Sequence, residues 1–135
     1  MSQATLQQYR RLFKASPGKF LVLRPHSFEI VAATDDYLKA TMTREKDIVG
    51  KTLFEVFPDN PEDQQADGVQ NLLASLQRVQ SLKIPDVMGV QRYPIRRPDG
   101  LFEDRFWSPV NSPVLDEAGD IEFIIHRAED VTALV

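Results

Sequence analysis

The chain has 135 residues, 42 % hydrophobic and 27 % charged, with a net charge of −4. That suits one domain with a real core, and the mild acidity with interspersed charges argues against nucleic-acid binding. The absence of cysteine excludes disulfides, thiolate catalysis and Cys-based metal sites, and no apolar stretch approaches the roughly 20 residues of a membrane span. The start, Met1-Ser2-Gln3-Ala4-Thr5, lacks the basic-then-apolar pattern of a signal peptide, so a cytoplasmic location is expected.

In chain order, the spacing of Leu6, Tyr9, Leu12 and Phe13 predicts a helix from Gln3 to Ala15, stopped by Ser16-Pro17-Gly18. Its stripe serves either to pack on its own domain or to meet a partner chain. Phe20–Leu23 and Phe28–Ala33 are expected to form a hairpin around the turn at 24–27, with Thr34 and Asp35 as caps of the next helix. Short helices are expected at 36–42 and at 43–50, the second opened by Thr43 and closed by Gly50. After Lys51–Pro58 and a polar loop at 59–67, Val69, Leu72, Leu73, Leu76 and Val79 mark the longest helix, ending at Leu82.

The last third reads as a meander. Val87–Arg97 runs into Pro98-Asp99-Gly100, a turn in which Pro presets φ and Gly takes the left-handed position. Leu101–Val110 leads away, and the run from Phe106 reaches the acidic break Asp116–Asp120 before a last strand that closes in Glu129-Asp130-Val131-Thr132. Two hairpins sharing a middle strand make three antiparallel strands, with the last hairpin at the centre of the sheet.

These pieces carry a resemblance. Pro-Asp-Gly, a Trp in the next strand, Ser-Pro-Val before Leu-Asp-Glu-Ala-Gly, and a closing Glu-Asp-Val-Thr together resemble the C-terminal half of a PAS domain. Independently, Asp47-Ile48-Val49-Gly50-Lys51 followed by Leu53-Phe54-Glu55-Val56-Phe57-Pro58 is similar to the PAS segment of short helices that wrap the pocket. The resemblance covers about Phe20 to Thr132. It implies an α+β fold: a five-stranded antiparallel sheet, short helices and one long connecting helix on one face, and an N-terminal flanking helix. Residues 1–18 are then the flanking segment and 19–135 the sensory domain.

The same resemblance implies a sensory input module, most often of a sensor histidine kinase, and alternatively of a transcriptional regulator or a cyclic-dinucleotide enzyme. A homodimer is implied, with the effector domain outside this chain and the Asp-Val-Thr end leading into a signalling linker. Leu6, Tyr9, Leu12, Phe13, Trp107, Asp130 and Thr132 are the expected dimer and signalling residues. Haem ligated by a His of the connecting helix is disfavoured, because that helix has none, and a flavin adduct is disfavoured for lack of Cys. The cofactor stays unknown.

No Gly-rich phosphate loop, His-Glu-x-x-His or nucleophile elbow occurs, so the domain is not expected to be an enzyme, and no metal is expected. His26 falls in a turn. His126 falls inside the last strand, where alternation puts it with Ile124 and Ala128 on one face, and the resemblance turns that face toward the cavity. It is read as inward and hydrogen-bonded, with ligand contact the alternative. Asn111 sits between Pro109 and Pro113, where a ladder is bulged or paired on one side only; it either fixes that backbone or touches a ligand. Trp107 and Phe106 face opposite sides, one to the core and one to a partner. Tyr37, Met42, Phe54, Leu76 and Tyr93 are read as core. With Asn111, Ile124 and His126 they are the candidate ligand-binding residues if the core is hollow. Two functions follow: a small-molecule sensor, or a ligand-free dimerisation module, which the bulky core candidates favour.

Overall fold

The computed structural model describes residues 2–135; Met1, the first residue of the expected flanking segment, lies outside the described residues. Helix α1 spans Gln3–Lys14, and Ser2 caps it by accepting the Thr5 N–H at 3.1 Å. Strands β1 (Phe20–Leu23) and β2 (Ile30–Ala33) form the first hairpin. The expected start of β2 at Phe28 is corrected. Phe28 is buried in the left-handed region at φ 58°, and only from Ile30 does the chain pair as a strand.

Three short helices follow: α2 (Asp35–Thr41), α3 (Glu45–Ile48) and α4 (Leu53–Val56). Thr34 is the cap of α2, as expected, and its hydroxyl also accepts the Phe20 N–H, locking the hairpin to the helix start. Thr43 is not the cap of α3. Arg44 takes that position without a side-chain bond, and the capping box belongs to α4, where Glu55 accepts the Thr52 N–H at 2.8 Å. Helix α5 spans Gly68–Leu82 and stops at Lys83, which adopts φ 57°.

The strand expected over 87–97 is broken into β3 (Asp86–Val87), β4 (Gln91–Arg92) and β5 (Ile95–Arg96). Gly89 and Pro94 punctuate it, and β5 pairs only with the equally short β6 (Phe102–Glu103) across the Pro-Asp-Gly turn. The long strands β7 (Phe106–Leu115) and β8 (Ile121–Asp130) form the ladder that dominates the sheet. The sheet order is β2-β1-β8-β7-β3, all antiparallel, with β4 sharing the fifth place beside β7. This is the expected five-position sheet, with the last hairpin at its centre.

Pro109 and Pro113 lie in β7 on one parity, and the Pro109 carbonyl accepts the Met88 N–H at 3.0 Å. Both prolines therefore turn their missing N–H toward the β3–β4 side and leave the β7–β8 ladder whole from Trp107 to Val114. Pairing on one side is what the prolines impose; the one irregularity falls later, between Val114 and Leu115. The inner face of β1, β7 and β8 presents Leu21, Leu23, Trp107, Asn111, Ile124, His126 and Ala128 to α5 and the short helices.

Candidate functional site

Register brings Asn111 of β7 opposite His126 of β8, and His126 opposite Leu21 of β1. All three side chains point to the inner face, where Asn111 is fully buried and His126 nearly so. His126 Nδ1 lies 2.7 Å from Asn111 Oδ1, and Asn111 Nδ2 donates to Ser75 Oγ of α5 at 2.9 Å. Ser75 Oγ donates to Asp86 Oδ2 at 2.5 Å, and Arg78 grips both Asp86 oxygens at 3.1 and 2.9 Å. A continuous polar chain thus runs from mid-sheet, across α5, to an ion pair at the surface.

Beside His126 is a cavity of about 40 Å³ between the sheet, α5 and the short helices. At about 10–15 Å³ per water it has room for roughly three. Tyr37, Tyr93, Trp107, Met88, Gln91 and His126 are among its lining residues, with Leu53, Leu72 and Ile95 as apolar wall. The Tyr37 ring meets His126 edge-on at 6.2 Å between centroids. Tyr93 donates its hydroxyl proton to the Phe57 carbonyl, while its own carbonyl accepts the Trp107 indole N–H at 3.0 Å.

Burial sets the charge of these groups. It pushes the His126 imidazole down to about 4, so the ring is neutral at neutral pH. It raises the Tyr37 and Tyr93 phenols, which stay protonated. At the surface end, the Arg78 hydrogen bonds, and then that from Ser75, hold the Asp86 carboxyl below its usual range.

Of the eight candidate ligand residues, Tyr37, Tyr93 and His126 line the cavity. Leu76, Asn111 and Ile124 are fully buried behind it, and Phe54 is half-buried, packed edge-on against Phe28. Met42 is corrected: it ends α2 in the left-handed region at φ 55°, with its side chain exposed instead of in the core. Trp107 is corrected as well. It is the inward member of its pair with Phe106, bonded inside the cavity wall, and so does not face a partner. Asn111 neither props an irregular backbone nor lines the cavity; it joins His126 to Ser75.

At the sheet end, Asp130 accepts the Thr132 N–H at 3.0 Å and pairs with Arg105, while Thr132 Oγ1 accepts the Phe106 N–H at 2.9 Å. Both residues tie the end of β8 to the start of β7. In α1, Leu6, Tyr9 and Leu12 are exposed and Phe13 is partly covered, so the stripe does not pack on its own domain.

Sequence reasoning missed Ser75, Asp86 and Arg78. One signal was available: Ser75 shares the stripe of Leu72, Leu76 and Val79, and a polar residue on that face needs a partner.

Gly68, at the start of α5, lies over the Tyr93 ring. A Cβ there would sit 2.7 Å from Tyr93 Cδ2. Because the ring is held at both ends, Gly68→Ala is expected to cost about 1–3 kcal/mol by urea unfolding, despite Ala's helix preference of about 1 kcal/mol. A stabilised variant would show that the ring yields.

Comparison with protein families and with curated proteins gave no match. Solved structures do match. The chain is similar to a light-oxygen-voltage protein of Rhodobacter sphaeroides, at TM-score 0.71 and 16 % identity over 97 % of this chain and 69 % of that one. The chain folds as a PAS domain. The PAS domain of the fruit-fly ELK potassium channel superposes at TM-score 0.67 and 17 % identity, over 94 % of this chain and 97 % of that one. An RNA-binding light-oxygen-voltage receptor gives 0.70 and 17 %, over 98 % and 34 %. Among the described residues no helix is long and apolar enough to cross a membrane, and no three His, Asp or Glu side chains group to hold a metal.

Proposed function

We propose that this PAS domain is a sensory input module of a signal-transduction protein, a cytoplasmic sensor histidine kinase being the preferred context. A small molecule in the cavity biases the sheet, and a second copy of the chain receives that bias through α1 and the linked ends of β7 and β8. The observation that carries the reading is the buried polar chain from His126 to Arg78, which gives the cavity a connection to the surface that a purely apolar core lacks. Binding and not catalysis is the domain's role. Native mass spectrometry of the purified domain, with an absorption spectrum, tests the sensor: an added mass lost on denaturation supports it.

The exposed stripe of α1 supports the dimer. Tyr9→Glu with Leu12→Glu, at positions 59 % and 67 % exposed, is expected to leave the circular dichroism unchanged and convert a dimer to monomers in sedimentation. A persistent dimer would place the contact elsewhere.

The small cavity favours a second reading, a ligand-free dimerisation or protein-interaction module. Bare dimers in the native spectrum would support it. A transcriptional regulator or a cyclic-dinucleotide enzyme are the alternative effectors.

A further inference from the structure

The proton positions along the buried chain follow from its surface end. Asp86 is held ionised by two Arg78 hydrogen bonds, so its oxygens only accept. Ser75 must then spend its single proton on Asp86, at 2.5 Å, and can offer Asn111 only a lone pair. That orients the Asn111 amide, with Nδ2 toward Ser75 at 2.9 Å and Oδ1 toward His126 at 2.7 Å. An amide oxygen only accepts, so His126 carries its proton on Nδ1. Nε2 is left with a bare lone pair.

Among the described residues nothing donates to that lone pair, and no fully enclosed side-chain nitrogen or oxygen lacks a partner. Since Nε2 has no partner, it is not fully enclosed, and His126 is part of the cavity lining. The Tyr37 hydroxyl is unpaired in the same way and lines the same cavity. Both residues are more than nine-tenths buried, at 5 % and 4 % exposure. The remaining wall is largely apolar, including Leu53, Leu72 and Ala128.

We infer that the cavity is a site for a small neutral molecule that donates a hydrogen bond, its O–H or N–H meeting His126 Nε2 and its own lone pair facing the Tyr37 hydroxyl. Size confines it to a few non-hydrogen atoms, since the volume matches roughly three waters. A charge is disfavoured by the largely apolar wall, and a purely accepting molecule would set two lone pairs against each other. The inference rests on the sensor reading above and adds the chemical class of what is sensed. It also makes Asp86, on the surface, a residue that sets what the cavity accepts.

The test uses two isomers of equal size, ethanol and dimethyl ether, of which only ethanol donates. Each is titrated into the full chain labelled with ¹⁵N in histidine and ¹³C in methyl groups. Ethanol is expected to shift the Nε2 resonance of His126 saturably, from its pyridine-like position, with tenfold or weaker response to the ether. Asp86→Asn, which frees Ser75 to donate or accept, is expected to mix the two ring tautomers and erase most of that preference. Equal responses to both isomers at the Met88 and Ala128 methyls, without a selective Nε2 shift, would overturn the donor class while leaving a cavity that binds. No saturable shift of either methyl or of Nε2 would overturn the inference together with the sensor reading. A wild-type His126 carrying its proton on Nε2 would overturn the chain of donors itself.

Discussion

Asn111→Ala is expected to destabilise the domain by about 2–4 kcal/mol, measured by urea unfolding at neutral pH. The side chain is fully buried, so its loss opens a hole and strips the acceptor from the His126 Nδ1–H. A buried donor left without a partner costs about 1–3 kcal/mol, and lost packing adds to it. Ser75 suffers less, because it keeps Asp86. Against a total stability of roughly 5–15 kcal/mol the effect is large. Removing both partners should cost less than the sum, because no polar group is then stranded: Asn111→Leu combined with His126→Phe is expected to recover at least about 1 kcal/mol of coupling. A loss below about 0.5 kcal/mol for Asn111→Ala, or strict additivity in the pair, would mean the hydrogen bonds are not formed in solution.

The second large effect is a dependence of stability on pH. The folded His126 titrates at about 4, held down by burial, while in the unfolded chain it returns to about 6.5. Between those values the unfolded chain binds a proton that the folded chain refuses, so lowering the pH draws molecules toward the unfolded state. Stability is full above the unfolded value and falls as pH drops through the window from about 6.5 to about 4, by on the order of 3 kcal/mol. Ion-paired carboxylates such as Asp86, Asp63 and Asp130, whose folded values are lowered, lose their contribution mainly below about 4, which separates the two effects. The measurement is the urea midpoint from pH 7.5 to 4.5 for the wild type and for His126→Gln. The variant should start lower and run flatter, and the two curves should converge as the acid limb is approached. Parallel curves would show that His126 charges as easily in the folded state as in the unfolded one.

How far the sequence carried this picture depended on which residue types announce their geometry. Pro98-Asp99-Gly100 announces a turn, and Gly100 does take φ 88°. Met42, Lys83, His26 and Phe28 adopt the same left-handed region without glycine to signal it, which is why helix α2 was expected to end at Met42 and not at Thr41, and β2 to begin at Phe28. The break-up of 87–97 came from Gly89 and Pro94 acting on a strand whose partner, β7, carries prolines on the facing side. Alternation grouped His126 with Ile124 and Ala128, and the PAS resemblance turned that face inward, where the structure has it. Its partner could not be counted outward from the visible turn, because the irregularity between Val114 and Leu115 shifts the register by one residue before Asn111 meets His126. Ser75, Asp86 and Arg78 stayed hidden for another reason. Their meeting depends on how α5 is laid across the sheet, and helix placement is set by many weak packing contacts and not by a local motif. The cavity was equally invisible, because its existence depends on small mismatches among large side chains.

The proline parity in β7 has a kinetic consequence. Strand β8 lies between two partners, paired with β7 along most of its length and with β1 from Ile124 to Arg127, whereas the β3–β4 edge lacks pairing at Gly89 and Val90 and is held to β7 nearby by single bonds such as Met88 N–H to the Pro109 carbonyl. Amides of the edge should therefore exchange with solvent through local opening, while those of β8 wait for global unfolding. Met88 and Gln91 of that edge belong to the cavity wall. The weakest seam of the sheet thus borders the cavity: fraying two short strands would open part of its wall without disturbing the central hairpin that holds His126.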